Sequence, residues 1–320
     1  MRVILFAPLF AFGCNEYEVI SKLPAGDPSN ARPLESEVRT DRVVQRPTPL
    51  VDVLWVIDNS GSMGDDQAAL TANFPLFMEY FLNSGLDYHI GVVTTDIDSP
   101  TDSGKLRSYA GNLWIDTQTP DAIGAFAEMA TVGTNGSSTE CGVGAAYVAL
   151  EERKNGYNAG FLREDASLHV VTISDEQDYT LDSLISATEF ASYLNGLKFG
   201  DDMVGYHVVV DPFWGTEYIA ISDAVGGLKR DINNNAWGDI LIELGIQAAG
   251  LKREFFLSTL PVPETIEVWV EHEGTTLSFA EGVDWTYSQA RNSVTFVDFV
   301  PDPLAEVFIE YDDLATSEVD

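Results

Sequence analysis

The chain has 320 residues, enough for one large domain with a smaller companion, and a hydrophobic share of 45% allows a sizeable core. Asp and Glu total 51 against 17 Lys and Arg, a formal net charge of -34. That excess argues against nucleic acid, whose phosphates are met by Lys and Arg, and against an anionic membrane surface; it fits a solvated acidic surface or one that gathers divalent cations.

Residues 1–14 read as an export signal. Arg2 precedes an apolar run from Val3 to Phe12 that is too short to span a bilayer, which takes about 20 residues. Ala11-Phe-Gly-Cys14 resembles a bacterial lipoprotein box, which implies lipidation at Cys14 and a mature chain whose one remaining thiol is Cys141. The alternative is a plain signal peptide with an incidental cysteine. Residues 15–47, rich in Pro, Ser, Glu, Asp and Arg, read as a flexible linker that could reach on the order of 100 Å when extended.

A domain is expected over 48–253. Val51-Asp-Val-Leu-Trp-Val-Ile57 has the apolar continuity of a strand buried on both faces, and apolar residues from Ala68 to Leu82 recur at helical spacing. Further strands are expected at 88–94, 168–173 and 203–210. Helices are expected at 121–130, 142–152, 181–197, 217–225 and 237–249, and 106–109 and 113–116 read as short edge strands or loop. This alternation gives an α/β fold, a doubly wound and mostly parallel sheet flanked by helices, with ligands at the carboxyl ends of its strands.

Asp58-Asn-Ser-Gly-Ser62 stands at such an end. One carboxylate and two hydroxyls on one turn suit a hard cation such as Mg²⁺, with Mn²⁺ or Ca²⁺ possible; a nearly neutral protein shell leaves the ion able to accept a further carboxylate. The same residue types also cap helices and fill turns. The strand, the Asp-x-Ser-x-Ser turn and the following helix resemble the metal-ion-dependent adhesion site (MIDAS) of von Willebrand factor type A (vWA) domains, over roughly residues 50–250. The resemblance implies two more ligands: a loop hydroxyl before the middle helix, best matched by Ser137 with Thr134 and Thr139 as candidates, and Asp175, followed here by Glu176 where the family has Gly. Asp96, Asp98, Glu176 and Asp178 fall near the same edge and read as a second cation site or as solvated loop.

From Glu254 the pattern changes to period two. Strands at 265–271, 276–279, 285–287, 293–297 and 307–311 predict a small all-β sandwich over 254–312, similar to the β module that follows the vWA domain in some bacterial surface lipoproteins, with an acidic tail at 313–320. The chain carries neither a phosphate-binding Gly-rich loop nor a nucleophile elbow. His89, His169, His207 and His272 all fall in expected strands, and Cys141 reads as a buried small residue.

The resulting expectation is a non-enzymatic protein of a bacterial cell envelope, lipid-anchored, that uses a MIDAS-bound cation to engage an acidic group on a protein partner. The alternatives are a metal-dependent hydrolase with Asp96 or Glu176 as base, or a scaffold whose cation only stabilises the loops.

Overall fold

A computed structural model describes residues 37–82, 85–199, 203–234 and 236–314. The expected signal, the anchor at Cys14, the first part of the linker and the last residues of the tail lie outside the described residues.

Five parallel strands form the central sheet: β2 (Leu50–Ile57), β3 (Asp87–Thr94), β4 (Ser167–Ser174), β5 (Val204–Val210) and β6 (Lys229–Asp231), in the order β3-β2-β4-β5-β6. β2 is buried along almost its whole length, yet its residues divide by parity. Val51, Val53, Trp55 and Ile57 enter one core with α1 (Gly64–Leu82), α2 (Ala122–Ala130) and α6 (Trp237–Ala248). Leu54 and Val56 enter the other with α3 (Gly142–Tyr147), α4 (Ala187–Asn195) and α5 (Thr216–Val225). Trp55 anchors the first core, packing edge-on against Phe77 at 5.3 Å and Phe126 at 5.2 Å between ring centres. The architecture is therefore a helix–sheet–helix α/β fold, as the alternation predicts.

Strand order reverses at β2: the chain passes first to β3 on one side, then to β4 on the other. At such a switch point the two loops leave a sheet in opposite directions and open a crevice at the strand ends. Asp58 follows β2 and Asp175 follows β4, and the two strands are paired up to Ile57 and Ile173.

The C-terminal strands form two antiparallel sheets. One holds β1 (Val38–Val44), β12 (Glu306–Asp312), β8 (Glu267–His272) and β9 (Thr275–Phe279); the other holds β10 (Trp285–Ser288), β11 (Ser293–Phe296) and β7 (Glu254–Phe256). Alternate residues of β8 and β12 (Val268, Val270, Val307, Ile309 and Tyr311) meet Phe255, Trp285, Val294 and Phe296 in a core of their own.

Several elements depart from the sequence reading. Val38–Val44, placed in the linker, is a strand paired along its full length with β12. The helix expected at 181–197 starts only at Ala187, because Ser186 and Glu189 form a capping box there and 182–184 are turn. The helix expected at 142–152 becomes a π-helical turn from Val148. Segments 106–109 and 113–116, read as short edge strands or loop, are loop with single bridges, Tyr109 to Asn112 and Ile115 to Ile90.

Candidate metal centre

The turn after β2 is built around the Asp58 side chain, which is fully buried. Its Oδ1 accepts the Ser60 backbone N–H at 2.7 Å, and its Oδ2 accepts the Ser174 hydroxyl at 2.6 Å. The Asp58 N–H donates to Ile173 O at 3.0 Å, locking the turn to β4. From there a chain of oxygen atoms runs outward: Ser60 Oγ lies 3.1 Å from Ser62 Oγ, which donates to Asp175 Oδ1 at 3.1 Å. Asp58, Ser60, Ser62 and Asp175 thus meet in one cluster at the switch point. Gln67, buried on α1, donates to Asp58 O and to Gly133 O, both at 2.9 Å, and fastens the turn to the 133–139 loop.

Ser137 has different partners. Its N–H donates to Asp96 Oδ2 at 3.3 Å and its Oγ accepts the Thr139 N–H at 3.0 Å. It lines, with Asn59, Asp96 and Tyr157, a separate cleft beside the cluster. Thr134 stands nearer the start of α1, its methyl 3.6 Å from where a β-carbon on Gly64 would lie.

Two of the neighbouring acids, Asp96 and Asp178, have structural work. Asp96 Oδ1 accepts the N–H groups of Asp98 and Ser99, each at 3.0 Å, closing its loop. Asp178 Oδ1 accepts the Val143 N–H at 3.1 Å, and Thr180 Oγ1 accepts that of Gly144 at 2.9 Å, so two residues of the β4 loop supply the acceptors that the first turn of α3 lacks. Cys141, at the start of that helix, is buried, and burial with Asp178 nearby pushes its thiol up to about 12.

One further carboxyl stands in the cluster that the sequence reading did not single out. Glu140 is fully buried, at the end of the 133–139 loop. Its Oε2 accepts the Thr95 hydroxyl, and the Thr95 N–H donates to Ile57 O at 3.3 Å, which sets Glu140 beside the end of β2. Its Oε1 is buried with no donor facing it. Burial, and then the Asp58 charge, push Glu140 up to about 8. Burial also raises Asp58, against the hydrogen bonds from Ser174 and Ser60. Two buried carboxyls held together without a basic partner are costly unless a proton or a cation stands between them.

The donor set fits a hard divalent cation. It offers carboxylate and hydroxyl oxygens and no nitrogen or sulfur, and the donorless Oε1 of Glu140 is an acceptor left without a positive partner. Among the described residues no group of three His, Cys, Asp or Glu side chains is arranged to hold a metal by itself. Asp58 and Glu140 are both fully buried, whereas Asp175 reaches the cluster through Ser62. Ser174 was legible only as part of its strand, and Glu140 only as an acid before a helix.

Beyond Asp175 the surface opens into a groove of about 380 Å³ lined by Ser62, Asp175, Glu176, Gln177, Tyr179 and Trp214. Tyr179, Trp214 and the adjoining Phe213 are exposed aromatics.

No protein-family model matches the chain, and no curated protein matches it. Among solved structures, one described as "von Willebrand factor type A from Catenulispora acidiphila" is similar at 12% identity and a TM-score of 0.42, over 88% of this chain. The match spans 66% of that chain, just under two thirds of its length. The fold class rests on strand order and register.

Proposed function

We propose that this protein is a cation-dependent binding protein, in which a divalent ion held by Asp58, Ser60 and Ser62, with Asp175 reaching it through Ser62 or water, engages an acidic group on a protein partner. The observation that carries the reading is the clustering of Asp58, which accepts the Ser60 N–H, with the run of oxygen atoms from Ser60 through Ser62 to Asp175, at the switch point of the sheet and open at its outer end to the groove. The strand–turn–helix resembles a MIDAS, and the ion supplies electrophilic attraction for a carboxylate. The chain's own residues do the rest. Asp58 orients the turn, Gln67 fixes the loop beside it, and Tyr179 and Trp214 offer apolar area around an otherwise acidic mouth. The role is one of binding rather than turnover. Mg²⁺ is the natural occupant for a site with few carboxylates, with Mn²⁺ or Ca²⁺ as alternatives. The Cys14 sequence supports export and a lipid anchor on a bacterial envelope as the setting.

The test is titration calorimetry of Mg²⁺, Mn²⁺ and Ca²⁺ into the protein and its Asp58→Asn variant. The parent should show saturable binding of at least one ion, and the variant should bind it at least about tenfold more weakly. Equal heats from both proteins would mean that the acidic surface takes up the ions and would sink the reading.

A further inference from the structure

The 133–140 segment closes over the turn after β2: the Gly136 N–H donates to Asn59 O at 2.9 Å, and Gln67 bridges Asp58 O and Gly133 O. The Ser137 hydroxyl does not turn to the cluster: its Oγ is taken up by the Thr139 N–H, and Ser137 lines the neighbouring cleft. The segment's last residue does. Glu140 is fully buried, is held by Thr95, whose own N–H donates to Ile57 O next to Asp58, and has one oxygen with no donor. Its backbone is fixed as well, because Glu140 O accepts the Tyr179 N–H at 2.7 Å from the loop that carries Asp175.

We infer that Glu140, in place of a loop hydroxyl, supplies the remaining protein ligand of the cation centre. The inference rests on the cation reading of Asp58, Ser60 and Ser62. It also changes the character of that centre. Asp58 and Glu140 together neutralise a divalent ion at the core of the site, before Asp175 is counted. A site richer in carboxylates favours Ca²⁺, which accepts six to eight oxygen ligands, over Mg²⁺, which retains several waters and is held by one or two carboxylates. Neutralisation also weakens the pull on a partner's carboxylate, so more of the partner's affinity falls to the aromatic groove at Tyr179 and Trp214.

The experiment compares Ca²⁺ and Mg²⁺ affinities by calorimetry for the full chain and its Glu140→Gln, Ser137→Ala and Thr134→Val variants. Circular dichroism and a thermal melt in chelator confirm that each is folded. Gln at 140 keeps an acceptor for Thr95 and offers an amide donor to Asp58, so the metal-free fold should be as stable as the parent's. The expected result is a Ca²⁺ affinity lowered at least about tenfold in Glu140→Gln, a smaller loss for Mg²⁺, and changes within about threefold in the two hydroxyl variants. Glu140→Asp, which keeps the charge on a shorter arm, should bind Ca²⁺ better than Glu140→Gln does. Parent-like Ca²⁺ binding by a folded Glu140→Gln would overturn the assignment and leave the proposed function standing. A loss in Ser137→Ala or Thr134→Val as large as that in Glu140→Gln would overturn it by returning the position to a loop hydroxyl. Equal losses for both ions would overturn it by reducing Glu140 to a support for Asp58. A parent that binds neither ion would overturn the proposed function together with this inference.

Discussion

His169 and His207 stand side by side on β4 and β5, with His169 Nδ1 2.9 Å from His207 Nε2. The Leu228 N–H donates to His207 Nδ1 at 3.0 Å, so the proton of His207 is on Nε2 and is given to His169. Both rings are buried, and burial pulls His169 down to about 4 and His207 well below its usual value. In the unfolded chain each takes a proton near pH 6.5, which the folded protein refuses. Their contribution to stability is therefore complete above about pH 7 and is lost as pH falls through 6.5 towards 4, at up to about 1.4 kcal/mol per pH unit for each ring. Glu140 acts in the opposite direction: raised to about 8, it favours the folded state as pH falls from 8 to its unfolded value. The histidine part is isolated by difference. Gln at 169 can still accept from His207 Nε2, so urea melts of the parent and of His169→Gln between pH 7.5 and 4.5 should show a shallower acid limb in the variant, by roughly one proton. Parallel limbs would mean that His169 is protonated in the folded state.

At the scale of elements, the end of the sheet opposite the Asp58 cluster is held by a buried ion pair. Asp52 on β2 is fully buried, and both its oxygens accept from Arg163: Oδ1 from Nε and Oδ2 from the backbone N–H, each at 2.7 Å. Arg163 also donates to Val51 O at 2.8 Å and to Asp87 Oδ1 at 2.7 Å, so one side chain ties the turn before β4 to the starts of β2 and β3. Removing one partner of a buried pair leaves an uncompensated charge or an unmet donor, at a cost of about 3–5 kcal/mol. Asp52→Asn should accordingly lose about 3 kcal/mol in a denaturant melt, and adding Arg163→Met should recover part of it; simple additivity of the two losses would refute the coupling. Asp52 also shows where sequence reading stops. The run from Val51 to Ile57 was legible as a strand buried on both faces despite the Asp, because six of its seven residues are apolar. That the Asp would find Arg163, distant in sequence, was not legible. The same boundary runs through the candidate site. Asp58, Ser60 and Ser62 share one turn, so their spacing displays them, and Asp175 follows from its strand end. Glu140 enters through a loop whose path is set by Asp96 and Gln67, and no local pattern marks an acid before a helix as buried. The missed strands are edge strands. β6 is Lys-Arg-Asp with none of its residues buried, and β1 is largely exposed, so neither carries an apolar alternation to read.

For the whole molecule, the position of β1 changes the domain plan. The chain enters the β sandwich first, leaves it through Gln45 to build the α/β domain, and returns at β7, so the α/β domain is an insertion between two pieces of the sandwich. Gln45 is the seam: it is buried, its Nε2 donates to Lys252 O at 2.7 Å, its N–H donates to Ala305 O at 2.8 Å, and its carbonyl accepts the Leu304 N–H at 2.7 Å. Further pairs fasten β1 sideways, including Arg42 with Glu306, Arg39 with Asp313 and the Asp41 carboxylate with the Tyr311 hydroxyl at 2.9 Å. A chain trimmed to begin at residue 48, where the α/β domain alone would start, keeps every residue of the Asp58–Asp175 cluster but turns β12 from an interior strand into an edge with unpaired N–H and C=O groups. A sandwich this small has little stability in reserve. Beside a chain beginning at residue 37, the trimmed protein should therefore unfold in two steps. The sandwich should melt first, by about 10 °C or more, if the lost strand is worth about 2 kcal/mol. Cation binding to the α/β domain should be retained, and hydrogen exchange should quicken in β12 and β8 rather than in β2 and β4. A single coincident transition for both proteins would show that β1 is dispensable, and that the sandwich is complete from residue 254 onward.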